Sequence, residues 1–120
     1  MNLANVKQLF TLFSGEDATG DFLPVITLAM SEVNSMLLDD ADENDVRLEF
    51  LTAAVANFRA QQIIASSAKA EYTFIGKVKS DAESPTVIRA RDLMRDYFQL
   101  CNDLIKPQTF VFFGFSSKEV

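Results

Sequence analysis

Histidine is absent from the 120 residues. This removes the commonest general base near neutral pH and the commonest transition-metal ligand. Neither a Ser-His-Asp nor a Cys-His nucleophilic centre can be assembled within the chain. Cys101 is the single cysteine, so there is no internal disulfide and no thiolate metal cluster. Tryptophan is missing too, although phenylalanine is abundant, with 11 residues. Long apolar runs are lacking: the most apolar window, Phe22 to Met30, falls well short of the roughly 18 residues of a membrane span. The start, Met1 to Lys7, lacks the basic start and long apolar stretch expected of a signal peptide. These absences lead to an expectation of no cofactor, no metal and no catalytic residues. An enzyme would have to rely on carboxylates such as Asp92 and Asp96, four apart on the solvent side of a helix, with no pocket implied.

The composition is that of one globular domain over residues 1–120, with 48% hydrophobic and 23% charged residues. The net charge of −6 is unevenly spread. Residues 1–60 carry three basic groups against ten acidic ones, and residues 61–120 carry eight against seven. An acidic half repels phosphate, which argues against general nucleic-acid binding. No helix combines a short turn with a basic reading face, so a DNA-binding regulator is not expected either.

Hydrophobic spacing predicts four helices. The first covers about Leu3 to Phe13, with Asn2 as its cap and Ser14-Gly15 as its stop. The second runs from about Phe22 to Leu38 behind Asp21, with Pro24 in its first turn. Its broad apolar surface (Phe22, Ile26, Ala29, Met30, Val33, Leu37) marks it as the central core helix. The acidic turn Asp39 to Asp45 invites a calcium reading. It fails as an EF-hand, because Asp45 stands where the sharp turn needs Gly and Leu51 where a bidentate Glu is required. A solvated loop whose Asp42 or Asn44 caps the third helix accounts for the acids better. That third helix, about Asp45 to Ser67, is rich in alanine, and its polar residues Asn57, Arg59, Gln61 and Gln62 read as a solvated patch, with hydrogen bonding across an interface as the alternative. The fourth opens at Ser84-Pro85 and runs to about Ile105. Cys101 sits in its apolar stripe as a buried, inert thiol.

Two segments alternate with a period of two. Tyr72, Phe74, Gly76 and Val78 face one way against Thr73, Ile75, Lys77 and Lys79. Phe110 and Phe112 alternate with Val111, Phe113 and Phe115, so the second segment is apolar on both faces. The expected fold class is therefore mainly α with a minor β part. About four helices join a two-stranded sheet formed by residues 71–79 and 109–115, and the tail 116–120 is expected to fray. Two strands are marginal alone, and an apolar edge invites strand addition by a neighbour. Phe110, Val111, Phe113, Phe115, Tyr72 and Phe74 are accordingly the candidate interface residues.

Several strings bring a family into view. They are Ala56-Asn57-Phe58-Arg59 within the alanine-rich helix, the Tyr-Thr-Phe-x-Gly-x-Val pattern of Tyr72 to Val78, the Ala/Arg-rich helix after it, and the terminal Asp-Leu-Ile followed by Thr-Phe-Val-Phe. Over roughly residues 40–115 the chain resembles the small head–tail connector proteins of tailed bacteriophages and prophages, also called adaptor or head-completion proteins. The Phe-rich end and the acidic first half depart from that pattern. The resemblance implies a structural protein that assembles into a homo-oligomeric ring, contacts portal or tail proteins and lets DNA pass through a channel. It implies no membrane, no small-molecule substrate and a location in the host cytoplasm or the virion. Lys77 and Lys79 become candidates for an inter-subunit or DNA-facing loop. The alternative is a small interaction module, a tail-completion or bacterial accessory protein acting as a dimer or hetero-complex.

Overall fold

A computed structural model describes residues 1–74 and 84–107, with side chains described for 1–67 and 84–107. These residues form four helices: α1 (Leu3–Ser14), α2 (Leu23–Met36), α3 (Val46–Phe74) and α4 (Pro85–Leu100). Among the described residues there is no β-strand, and no helix is long and apolar enough to cross a membrane. The fold is mainly α.

Local chemistry explains most of the boundaries. The Asn2 side chain accepts hydrogen bonds from the backbone N–H of Ala4 and Asn5 at 2.8 and 3.3 Å, satisfying donors that the first turn of α1 leaves free. Gly15 ends α1 at φ 75°, a left-handed conformation in which its N–H reaches the Thr11 carbonyl at 2.8 Å. Ser84 caps α4 through Thr86 N–H, with Pro85 placed where no backbone donor is needed. The cap of α3 is Asp45, whose Oδ1 accepts from Arg47 N–H at 3.0 Å. Asp42 instead closes its own turn onto Asn44 N–H. Asp21 makes no cap: α2 starts after Phe22 without a side-chain cap bond.

The core is organised around α3, not α2. Every residue from Leu51 to Phe58 is buried, more than two full turns, so this part of α3 is covered on all sides. Helices α1, α2 and α4 each pack on it and touch one another far less. Ala53, Ala54, Ala56 and Ala60 have no exposed surface, and their small side chains let three neighbours approach. Helix α2 lies on the outside: Ile26, Ala29, Val33 and Met36 face inward, while Thr27, Leu28, Ser31 and Asn34 meet solvent. Phe13 of α1, Phe50 of α3 and Tyr97 of α4 meet in one aromatic cluster, with ring centroids 5.6–6.5 Å apart.

The two-stranded sheet predicted for 71–79 and 109–115 is overturned where it is described. Tyr72, Thr73 and Phe74 form the last turn of α3. The string from Ala65 to Phe74 contains no Gly or Pro, and a formed helix gains one hydrogen bond for each residue it adds. The first breaker in that direction is Gly76. Residues 75–79, with Lys77 and Lys79, and the segment 109–115, with Phe110, Val111, Phe113 and Phe115, lie outside the described residues. Helix α4 also ends early, at Leu100, and residues 101–104 turn so that Leu104 and Ile105 are buried. There Leu37 and Ile105 form an isolated antiparallel bridge, with Leu38 N–H on the Leu104 carbonyl (2.9 Å) and Lys106 N–H on the Met36 carbonyl (2.8 Å).

Close packing around α3 leaves no room for added volume. Ala54→Leu is expected to cost about 1–3 kcal/mol through overpacking, lowering the urea midpoint with an unchanged slope. Ser66→Ala, on an exposed position of the same helix, should stay within about 0.5 kcal/mol of wild type.

Candidate functional site

Polar side chains inside an apolar helix have to find partners, and those of α3 do so in two places. Near its start, the buried Glu49 carboxylate accepts from Asn2 N–H at 2.8 Å and from the Asn5 side-chain amide at 3.3 and 3.4 Å. The Thr52 hydroxyl, fully buried, lies 3.0 Å from Met1 Sδ. These contacts pin the start of α1 to α3.

A second polar group lies further along the same helix. Asn57 and Gln61, 4% and 7% exposed, stand four residues apart on one face of α3. Gln61 Nε2 donates to Asn57 Oδ1 at 3.2 Å. Far from being a solvated patch, the pair forms part of the lining of a half-open pocket of about 260 Å³ between α1, α3 and α4. Phe13 and Ser14 come from the end of α1, and Thr86, Arg89, Ala90 and Leu93 from the first half of α4. Arg59 of the same sequence patch points elsewhere, pairing with Glu32 of α2 at 3.1 Å. Only Gln62 of the four is exposed.

Chemically, the pocket offers both donors and acceptors. One bond occupies one hydrogen of Gln61 Nε2 and one acceptor site of Asn57, which leaves Asn57 Nδ2, the second Gln61 hydrogen and the Gln61 Oε1 acceptor available. The Thr86 hydroxyl adds a donor, and among the described residues Arg89 is the one charged group in the lining. Asp92, one turn along α4 from Arg89, is engaged by Arg95 at 2.7 Å. The walls supplied by Phe13, Ala90 and Leu93 are apolar. A broader depression of about 470 Å³ beside α1 is less organised: its one carboxylate, Asp17, is occupied by Thr19 through N–H and hydroxyl at 2.9 and 2.8 Å.

At the opposite end of the bundle, Arg47 forms the densest polar contact. It grips Asp45 with Nε (3.1 Å) and Nη2 (2.9 Å), and reaches Asp103 at 3.0 Å and the Leu100 carbonyl at 2.9 Å. Leu100 ends α4, so the guanidinium satisfies a terminal carbonyl at the negative end of the helix dipole. Hydrogen bonds from Arg47 hold the Asp45 and Asp103 carboxyls below the ordinary 3.8. Nearby, the buried Cys101 thiol donates to the Arg47 carbonyl at 3.5 Å, and burial pushes its pKa up to about 11. This matches the inert thiol expected from the sequence.

The candidate interface residues fare differently. Tyr72 and Phe74 belong to the end of α3, whereas Phe110, Val111, Phe113, Phe115, Lys77 and Lys79 fall outside the described residues. Among the described residues, no group of three or more His, Cys, Asp or Glu could hold a metal ion. The pocket residues Asn57 and Gln61 were visible as polar interruptions of an alanine-rich run. The signal for Arg89 was weaker, one basic residue among several on α4.

Two outcomes check the Arg47 end. Because Asp45 and Asp103 have folded pKa values below their ordinary 3.8, their contribution to stability is complete above that pH and is lost as the pH falls through the folded values. Arg47→Met should therefore lose this part of the acid dependence below about pH 3.8 in urea melts. Cys101 should react with a thiol reagent at pH 8 only after denaturation, since its raised pKa and burial keep it protonated and shielded in the native state. No family model, no curated protein and no solved structure matches the chain.

Proposed function

We propose that the chain is a non-enzymatic assembly protein, a helical subunit that works by binding copies of itself and a larger partner. The observation that carries this reading is the exposed stretch of α3 after Gln61. Residues 62–67 are mostly exposed, yet they include Ile63 and Ile64, 49% and 38% exposed. Adjacent large aliphatic side chains exposed on a helix are stabilised by cover from another molecule. The absence of histidine and the single, inert cysteine accord with a role that is not catalytic.

Within this reading we favour a head–tail connector of a tailed phage or prophage, a ring of copies joining portal and tail in the host cytoplasm and then the virion. Its support is the resemblance carried by Ala56-Asn57-Phe58-Arg59 and the helical order around it. That support is reduced by one element, because Tyr72 to Phe74 are helical. A ring needs heterologous contacts that close by rotation, and an exposed helix face meeting a neighbour's flank is one such contact. The alternative, a dimeric or hetero-complexed accessory module, uses the same apolar surface but gives a different mass.

Light scattering over a wide concentration range, alone and with a candidate portal protein, tests the reading. Burial of two isoleucines contributes about 1.5–3 kcal/mol each, so Ile63→Lys/Ile64→Lys should weaken association more than about tenfold. Its thermal unfolding should stay close to wild type, because both positions are exposed. A wild-type chain that remains monomeric at every concentration and binds no portal would sink the proposal.

A further inference from the structure

We infer that the pocket between α1, α3 and α4 receives a carboxylate side chain from the acidic turn of a second copy of this chain. The inference rests on the self-assembly reading and gives it a specific contact.

The pocket selects for an anion. Its buried floor offers amide hydrogens from Asn57 and Gln61, its rim carries the Thr86 hydroxyl, and Arg89 supplies the charge. A guanidinium with neighbouring donors is suited to the planar oxygens of a carboxylate. A volume of about 260 Å³ holds an aspartate or glutamate side chain with some water, each water taking about 30 Å³.

The acidic turn supplies the complementary charge. Asp39, Asp40, Asp42 and Glu43 are all exposed. Asp42 is partly used by Asn44 N–H, while Asp39 and Asp40 make no hydrogen bond or ion pair with any described residue. The turn precedes α3, and Gln61 lies sixteen residues beyond Asp45 along that helix, about 24 Å at 1.5 Å per residue. The turn therefore cannot reach the pocket of its own molecule. Two complementary features at opposite ends of one subunit give a heterologous, head-to-tail contact, which propagates into a ring or a filament.

Sedimentation velocity of the full chain tests the contact. Arg89→Glu and the double variant Asp39→Lys/Asp40→Lys should each reduce self-association at least tenfold. Both alter exposed side chains, and circular dichroism verifies that each retains its helices. An equimolar mixture of the two should regain association. The unaltered acidic turn of the first variant then meets the unaltered Arg89 pocket of the second, and the lysine turn of the second meets the charge-reversed pocket of the first. In parallel, N-acetylaspartate is titrated into wild-type protein while the side-chain amide signals of Asn57 and Gln61 are followed by NMR. Loss in both variants with recovery on mixing supports the contact. Self-association that neither variant changes overturns it and leaves the assembly reading standing. Amide signals that respond to N-acetylaspartate in a chain that never self-associates assign the pocket to a free carboxylate and overturn the contact between copies, leaving the assembly reading to the portal-binding measurement. A chain that neither self-associates nor responds to N-acetylaspartate also overturns the contact.

Discussion

Everything in the described fold depends on covering α3 from all sides. A helix buried over more than two consecutive turns cannot keep a polar face for solvent, so its residues are either apolar, most often alanine, or polar with a partner already in place. Alanine supplies the first kind and brings the three surrounding helices close. Glu49, Thr52, Asn57 and Gln61 are the second kind, each buried and each bonded. The interaction that holds the bundle together is thus apolar contact with one central rod. The polar groups on that rod decide where the outer helices seat.

The two ends of the rod are chemically different. At its start, Arg47 ties Asp45, Asp103 and the terminal carbonyl of α4 into one charge-assisted contact, and the antiparallel bridge of Leu37 with Ile105 closes the same end. The arginine is about one-third exposed, so its weight lies in fixing how the chain leaves α4 more than in bulk stability. Further along, buried amides border a pocket instead of a closed core, and among residues 62–67 Ile63 and Ile64 face water. The described residues thus place acid at one end and a polar pocket with exposed isoleucines toward the other. This polarity underlies the head-to-tail contact we propose.

Much of the bundle was legible in the chain. The spacing of Val6 and Phe10, of Ile26, Ala29 and Val33, and of Val87, Ala90, Met94 and Phe98 located three helices and their inward faces, because a helix repeats its face every three to four residues. The caps at Asn2 and Ser84 and the stop at Gly15 followed from local hydrogen-bonding chemistry. The strand reading of Tyr72 to Phe74 failed because alternation over a few residues is weak beside a helix that reaches them with no breaker in its path. The candidate site was half legible. Asn57 and Gln61 could be named as polar positions on α3, but whether they faced water or a pocket depended on how α4 crossed them.

By itself, the sequence determined where four helices lie, that histidine chemistry is lacking, that Cys101 sits on an apolar stripe and that the acid is concentrated in the first half. Those properties are local: composition, periodicity and capping act within a few residues. Only the tertiary structure decided that α3 and not α2 is the centre, since both carry broad apolar surfaces and the choice rests on which of them the other helices can approach most closely. It likewise decided that Asn57, Gln61 and Arg89 share one pocket, and that Arg47 meets Asp103 across 56 positions of chain. Such contacts join residues far apart in sequence, and no local spacing rule encodes them.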